Sequence, residues 1–124
     1  MNTKSLIIRE WTVQDGAAFF KISHDPEFNK CSSVSLVQST QDDAERKVIE
    51  WALITDQTKM GYFPVLLKST NELIGVCRLK PVPSAEKMSF EITCHLVSDQ
   101  LGKGYSEEAA ASLANYARSK IWGK

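Results

Sequence analysis

The sequence lacks the features that mark several large classes of protein. Its three cysteines, Cys31, Cys77 and Cys94, are odd in number and show no metal-site spacing, which argues against a disulfide framework and a metal centre. No apolar run is long enough to cross a bilayer, and residues 1–4 lead into a strand pattern rather than a signal peptide. We therefore expect an unprocessed protein of the reducing cytoplasm, with no metal and no membrane association.

Net charge is also absent, because 15 basic residues balance 15 acidic ones. Without an excess of either sign, no overall field recruits nucleic acid or an anionic membrane. A partner is therefore expected to be small or to be recognised locally. The 124 residues, of which 43% are hydrophobic, suit one compact domain over residues 1–124 with a single core.

Glycine is scarce at six residues, yet Gly102 and Gly104 stand one residue apart. They lie in a polar turn between an alternating strand pattern over residues 89–97 and an alanine-rich helix that begins near Ser106. Such glycines let the backbone adopt positive φ and can turn successive N–H groups into one concavity. In front of a helix N-terminus this concavity can bind a phosphate or diphosphate, and Lys103 can add a charged contact.

The glycine pair by itself also fits a plain strand-to-helix turn with capping glycines. It is not a P-loop, because Lys103 is followed by Gly104 where that motif requires Ser or Thr. It is not a dinucleotide fingerprint either, because Glu107 stands where the third glycine belongs. On this pattern alone, the capping turn is the simpler interpretation.

The wider stretch of residues 91–110 resembles the acetyl-CoA signature of the GNAT superfamily of N-acetyltransferases. It looks closest to the branch that acetylates the N-termini of ribosomal proteins, in which a Glu-Ile strand, a short turn, a G-K-G-Y loop and a Glu-Ala helix start follow at this spacing. Upstream, residues 6–11 look like the opening strand of that branch, Asp25-Pro26 like the end of its first helix, and Leu73-Ile74-Gly75 like its central hairpin.

The resemblance implies direct transfer of an acetyl group from acetyl-CoA to a primary amine, with no covalent enzyme intermediate. A protonated amine cannot attack a thioester, so a base must remove a proton. Glu91 is the first candidate, because it matches a carboxylate that the family often has on this strand; a solvent-facing sheet residue is the alternative. His95, on the same predicted face, is the second candidate, with a structural histidine as its alternative.

The resemblance also implies which residues hold acetyl-CoA. The N–H groups of Leu96 and Val97 would bond the thioester carbonyl and the pantetheine amides. The diphosphate would lie against Gln100, Leu101, Gly102, Lys103, Gly104, Tyr105 and Ser106. Glu107 departs from the small or hydroxyl residue of the branch and would weaken this binding unless it points away or pairs with Lys103. Glu108 matches the glutamate of the branch, and a helix-start carboxylate is its alternative.

Hydrophobic periodicity predicts the order strand, helix, helix, strand, strand, strand, helix. This is an α+β domain, layered as in α/β folds, with a mainly antiparallel central sheet flanked by helices. The predicted strands span residues 6–11, 61–68, 72–80 and 89–97, and the predicted helices span residues 12–24, 41–55 and 106–121. Thr12 and Asp15 form a capping box for the first helix. Residues 27–38 lack a period, and the resemblance implies that they form a specificity loop.

The pattern also predicts which side chains face the core. The core positions are Ala17, Phe20 and Ile22 in the first helix, Ala44, Val48, Trp51, Ala52 and Ile54 in the second, and Phe90, Ile92, Cys94 and Leu96 in the last strand. The polar positions of that strand, Ser89, Glu91, Thr93 and His95, are assigned to the opposite face. Pro64 is expected at a sheet edge or a bulge, and residues 81–85 are expected to form an exposed connection.

Compared with the family, the sequence ends before a further strand, a helix and the closing strands. We therefore expect an open edge on the strand of residues 89–97 and predict a homodimer, or another partner, that covers it. If no partner covers this edge because the chain is truncated, we instead expect aggregation and poor solubility. The competing function is a non-catalytic CoA-binding or assembly module built on this scaffold. The acceptor remains open among a protein N-terminus, an antibiotic, a polyamine and an amino acid.

Overall fold

A computed structural model describes residues 1–26, 28, 40–82 and 89–119. The order of elements along these residues confirms the predicted α+β fold. The strands are β1 (Leu6–Ile8), β2 (Gly61–Leu67), β3 (Leu73–Val82) and β4 (Ser89–Leu96), and the helices are α1 (Gly16–Ile22), α2 (Gln41–Thr58) and α3 (Tyr105–Ala117). Short 3-10 turns at Val13–Asp15 and Ser98–Gln100 precede α1 and follow β4. No helix in these described ranges combines the length and apolarity that a bilayer crossing needs.

The four strands form one antiparallel sheet in the order β1-β2-β3-β4. Helices α1 and α2 pack on one face around Phe19, Trp51 and Val76, and α3 packs on the other face around Phe63 and Leu113. In the described part of the chain, β4 is the last strand of the sheet and has no strand along its outer edge. The homodimer across this edge stays a prediction.

The inner face of α1 differs from the prediction. Ala17 is exposed and Phe20 is half-buried, whereas Phe19 is fully buried. The reason is that Gly16 packs against α2, where an added Cβ would lie 2.3 Å from the Cγ atom of Glu45. This close approach turns the face of Gly16 and Phe19 towards the core, and the aromatic core assembles around it.

Helix α2 follows the prediction at its start and in most of its buried stripe. The N–H of Asp43 donates to the Oγ1 atom of Thr40 at 3.1 Å, which caps the helix. The stripe of Ala44, Val48 and Trp51 is buried, so the assignment of Trp51 to the core is confirmed. The assignment of Ile54 is wrong, since its side chain is 41% exposed and Thr55 is buried in its place.

Two prolines test the strand assignments. Pro64 faces Val76 of β3, but β1 pairs no further than Val65, so Pro64 has a strand on one side only in the described sheet. A register shift follows between Val65 and Leu66, so the expected edge or bulge position is confirmed. The exposed connection predicted for residues 81–85 starts later in the structure, because Pro81 continues β3 and pairs with Phe90. The β2 pairing has ended by then, and the missing N–H of Pro81 costs no ladder bond.

Strand β4 shows the predicted alternation with one exception. Phe90, Ile92 and Cys94 pack on the α3 side, and Glu91 and Thr93 are exposed. The exception is His95, which is buried. Strand β1 ends at Ile8, three residues before the predicted end. The predicted specificity loop lies outside the described residues except for the buried Phe28.

Candidate functional site

The turn between β4 and α3 contains the two glycines in left-handed backbone conformations. Their φ angles are 76° at Gly102 and 81° at Gly104, as predicted, and Gly104 is the N-cap residue of α3. A Cβ atom added to either glycine would meet no atom within 4 Å. The turn therefore presents open backbone at both positions, and glycine is needed there for its dihedral angles rather than for space.

The backbone amides of this turn fall into two groups. Those of Gln100 and Leu101 donate inside the 3-10 turn, to the carbonyl oxygens of Val97 at 3.0 Å and Ser98 at 3.4 Å. The amides of residues 102–107 make no hydrogen bond of standard geometry in the described part of the chain, although residues 101–102 form a looser turn, and helical bonding begins with the N–H of Glu108 donating to the carbonyl of Gly104 at 3.1 Å. Consecutive donors of this kind at a helix N-terminus can bind an anion.

The charged side chains at the turn are exposed. The Nζ atom of Lys103 donates to the Oε1 atom of Gln100 at 3.2 Å. Among the described residues, Lys103 forms no ion pair with Glu107. Lys103 is therefore tethered at the rim of the turn, close to the unpaired amides. Glu107 lies in the first turn of α3 and brings a negative charge to the same region.

The hydrogen-bond alternation of β4 determines which of its amides face the outer edge of the sheet. The N–H of Val97 donates to the carbonyl of Ile74 at 3.0 Å, so it is not available to a ligand, in contrast to the expectation from the sequence. In an antiparallel pair the N–H groups alternate in direction, so those of Leu96, Cys94 and Ile92 point away from β3. The amide of Leu96 therefore points away from β3, and its contact with a cosubstrate stays a prediction.

Glu91 lies on β4, and its side chain is exposed opposite Lys80 of β3. Leu96 follows Glu91 by five positions, a distance of about 17 Å along an extended strand. A thioester bonded at Leu96 would be too far from this carboxylate to share a reaction with it. The outward amide nearest to Glu91 is that of Ile92.

His95 lies in the core, in contrast to the predicted outward position. Its residue exposure is 5%, its ring makes an edge contact with Phe28 at a centroid distance of 6.1 Å, and its Nδ1 atom has no hydrogen-bond partner among the described residues. Burial lowers the pKa of His95 below its ordinary value of 6.5, and the positive charge of Arg78 lowers it further. His95 is therefore neutral at neutral pH and does not share the exposed surface of Glu91.

Burial of His95 predicts a pH-dependent stability. Because its folded-state pKa lies below 6.5, the unfolded chain binds the proton more readily. The contribution of neutral His95 to the free energy of unfolding is fully present above pH 6.5. It is lost as the pH falls from 6.5 through the lowered folded-state pKa. We expect His95→Gln to flatten the decline in unfolding free energy below pH 6.5, as measured by urea denaturation at several pH values. The other histidine, His24, is exposed, so His24→Gln should retain the decline. Equal slopes in the two variants would contradict this account.

The carboxylates of Asp25 and Glu108 connect the turn and α3 to other parts of the chain through contacts that the sequence does not predict. The Asp25 carboxylate accepts hydrogen bonds from the N–H of Ser98 at 3.1 Å and from its Oγ atom at 2.9 Å. This contact ties the chain after α1 to the turn after β4, beside a cavity of about 300 Å³. Glu108 accepts from the hydroxyl of Thr3 and from the N–H of Ser5 at 2.8 Å, and the bond from Thr3 lowers its pKa. Glu108 therefore anchors α3 to the N-terminal segment.

Comparison with known proteins identifies the family and the fold. The family model described as acetyltransferase (GNAT) domain matches residues 5–123. No sequence among curated proteins matches the chain. A GNAT-family acetyltransferase from Bacillus anthracis superposes with a TM-score of 0.74 at 21% identity, over 98% of this chain and 67% of that one.

Two ribosomal-protein acetyltransferases have the same fold. The ribosomal-protein-S5-alanine acetyltransferase from Vibrio fischeri gives a TM-score of 0.67 at 16% identity, over 96% of this chain and 67% of its own. The ribosomal L7/L12 α-N-protein acetyltransferase, determined in complex with coenzyme A, gives 0.73 at 16% identity, over 95% and 67%. The chain thus spans about two thirds of each, and at these identities the likeness shows the fold alone.

Proposed function

The chain belongs to the GNAT acetyltransferase family, and we propose that it transfers an acetyl group directly from acetyl-CoA to a primary amine. The observation that carries this proposal is the row of amides at residues 102–107, which make no hydrogen bond of standard geometry within the described residues and follow the left-handed Gly102 and Gly104. These donors, the N-terminus of α3 and the exposed Lys103 suit the diphosphate of the cosubstrate. Acetyl-CoA supplies the activated acetyl thioester.

We assign the pantetheine arm to the outer edge of β4. The outward amides of Leu96, Cys94 and Ile92, with that of Phe90, are the hydrogen-bond donors along this edge. The Leu96 amide is nearest to the turn of residues 98–104 and suits an amide carbonyl of the pantetheine arm. The Ile92 amide is nearest to Glu91 and suits the thioester carbonyl, where a positioned N–H stabilises the negative charge that develops during attack.

Glu91 is the residue we assign to proton removal from the acceptor amine. Its carboxylate is exposed on the sheet face that carries α1 and α2, so an amine can approach it from solvent. Lys80 lies directly opposite and contributes a positive charge to the same region. His95 is less suitable, because burial removes it from contact with solvent and from the acceptor.

Calorimetric titration tests whether the turn binds the cosubstrate. We expect saturable heats for acetyl-CoA and CoA with the wild-type chain, and no measurable heat for pantetheine, which lacks the diphosphate. Binding without turnover on any amine would favour the non-catalytic module over the enzyme. If neither acetyl-CoA nor CoA binds to the wild-type chain, the proposed function is contradicted.

Replacement of Glu91 by glutamine removes the proposed base with little change in shape. We expect kcat for acetylation of a primary amine to fall by about 100-fold, since general base catalysis contributes that order of magnitude. The affinity for acetyl-CoA should remain unchanged. Glu72→Gln alters another exposed carboxylate and serves as the control. Equal kcat values for the wild type and Glu91→Gln would exclude Glu91 as the base.

A further inference from the structure

Cys77 and Cys94 stand directly opposite each other on β3 and β4. Their Sγ atoms lie 2.7 Å apart, and both residues are free cysteines. They are separated by 17 positions in the sequence, with none of the short spacings of a redox motif. The pairing of the two strands, rather than a local motif, therefore creates this dithiol.

The hydrogen-bond register favours covalent linkage at this position. The bond from Val97 to the carbonyl of Ile74 marks a hydrogen-bonded pair, so alternation along the ladder makes Cys77 and Cys94 a non-hydrogen-bonded pair. In such pairs the Cα atoms are about 4.5 Å apart and the side chains are closest. This spacing lies within the range of about 4.4–6.8 Å that a disulfide bridges.

The two thiols differ in access and in acidity. Cys77 is fully buried, whereas Cys94 is half-buried, with its Sγ atom 3.8 Å from the carbonyl oxygen of Ser106 in the first turn of α3. The hydrogen bond with Cys77 lowers the pKa of Cys94, while that bond and burial raise the pKa of Cys77. Cys94 is thus the thiol that a soluble reagent reaches first, and Cys77 is the thiol that resolves the product.

We propose that Cys77 and Cys94 form a reversible disulfide through exchange with a low-molecular-weight disulfide such as oxidised glutathione. The Cys94 thiolate attacks one sulfur of the reagent, forms a mixed disulfide and releases one thiolate, which takes up a proton. The Cys77 thiol then loses its proton and attacks the Cys94 sulfur, which releases the second thiol. The reagent is reduced to two thiols, and the protein pair is oxidised to one disulfide. This chemistry is independent of acetyl transfer.

The test uses a Cys31→Ser chain, so that only the proposed pair can react. After incubation with oxidised glutathione we expect the mass to fall by two hydrogen atoms and a proteolytic peptide to link Cys77 to Cys94. The thermal midpoint should rise by about 10 °C, because the bond restricts the unfolded chain, and should return on reduction. Stable glutathione adducts, disulfide-linked dimers or no reaction would overturn the proposal.

The order of attack has its own readout. In the Cys31→Ser background, Cys77→Ser should accumulate one glutathione on Cys94, whereas Cys94→Ser should leave Cys77 unmodified. The opposite pattern would contradict the assigned roles. Because the linkage itself is measured in the Cys31→Ser chain with both thiols intact, the proposal remains testable even if a second replacement prevents folding.

Discussion

Replacement of Gly104 by valine is expected to weaken CoA binding by about 30-fold, while replacement by asparagine preserves it within a few-fold. Gly104 has a φ angle of 81°, where a β-branched residue is strained by about 2 kcal/mol and asparagine is tolerated. The valine chain relieves this strain by moving the turn out of the conformation that aligns the amides of residues 102–107, and about 2 kcal/mol corresponds to that loss of affinity.

The comparison separates backbone conformation from side-chain bulk. Neither substitution creates a clash of the new Cβ, since no atom lies within 4 Å of that position. Calorimetry with CoA gives the affinities, and the thermal midpoint of each variant shows whether the fold is retained. Equal affinities for the valine and asparagine variants would show that the left-handed conformation of Gly104 is not required for binding.

Replacement of Gly75 by alanine is expected to lower the free energy of unfolding by about 3 kcal/mol. An added Cβ would lie 2.3 Å from the carbonyl oxygen of His95 and 2.6 Å from the Cδ2 atom of Leu96. The first of these atoms belongs to backbone, so β3 and β4 must move apart, and overpacking of this kind costs about 1–3 kcal/mol. The displacement also moves Leu96 and its outward amide at the outer edge of β4.

Urea denaturation of Gly75→Ala measures this cost. Gly102→Ala is the matched control, because its Cβ meets no atom within 4 Å and only the positive φ opposes it, at a cost of about 1 kcal/mol. A loss of stability in Gly75→Ala no greater than that in Gly102→Ala would contradict the close approach of the two strands. A normal CoA affinity in a strongly destabilised Gly75→Ala chain would separate the stability effect from the site.

Features set by neighbouring residues could be predicted from the sequence. The positive φ of Gly102 and Gly104 follows from glycine chemistry in a strand-to-helix turn, and the alternation of Phe90, Ile92 and Cys94 follows from the period of a half-buried strand. The order of strands and helices follows from the same periods. The resemblance to the GNAT family is confirmed by the family match.

Features set by tertiary contacts could not be predicted in this way. Burial of His95 depends on Phe28, which is distant in sequence, and the role of Asp25 depends on its contact with Ser98. Loss of the Val97 amide to Ile74 depends on strand register, as does the meeting of the two cysteines. The inner face of α1 differs from the prediction because Gly16, rather than an apolar side chain, sets the approach of α1 to α2.

The distance between Glu91 and the turn of residues 98–104 changes the expected position of the thioester more than any other feature does. The resemblance implies that the thioester carbonyl and the pantetheine amides bond to Leu96 and Val97, immediately before the turn. The extended strand puts Glu91 about 17 Å from Leu96, so the proposed base and an oxyanion contact at Leu96 would not lie in one reaction centre. The proposed contact of the thioester carbonyl with the amide of Ile92 would bring the two functions together and leave Leu96 to position the pantetheine arm.

Titration of the ¹⁵N-labelled chain with CoA, followed by amide NMR, tests the central claim most directly. We expect saturable shifts at the amides of residues 102–107, which make no hydrogen bond of standard geometry in the described part of the chain, and smaller shifts at Gln100 and Leu101, which are bonded within the 3-10 turn. Saturation of CoA binding with unchanged amides at residues 102–107, or with the largest shifts on another surface, would contradict the claim that this turn binds the diphosphate.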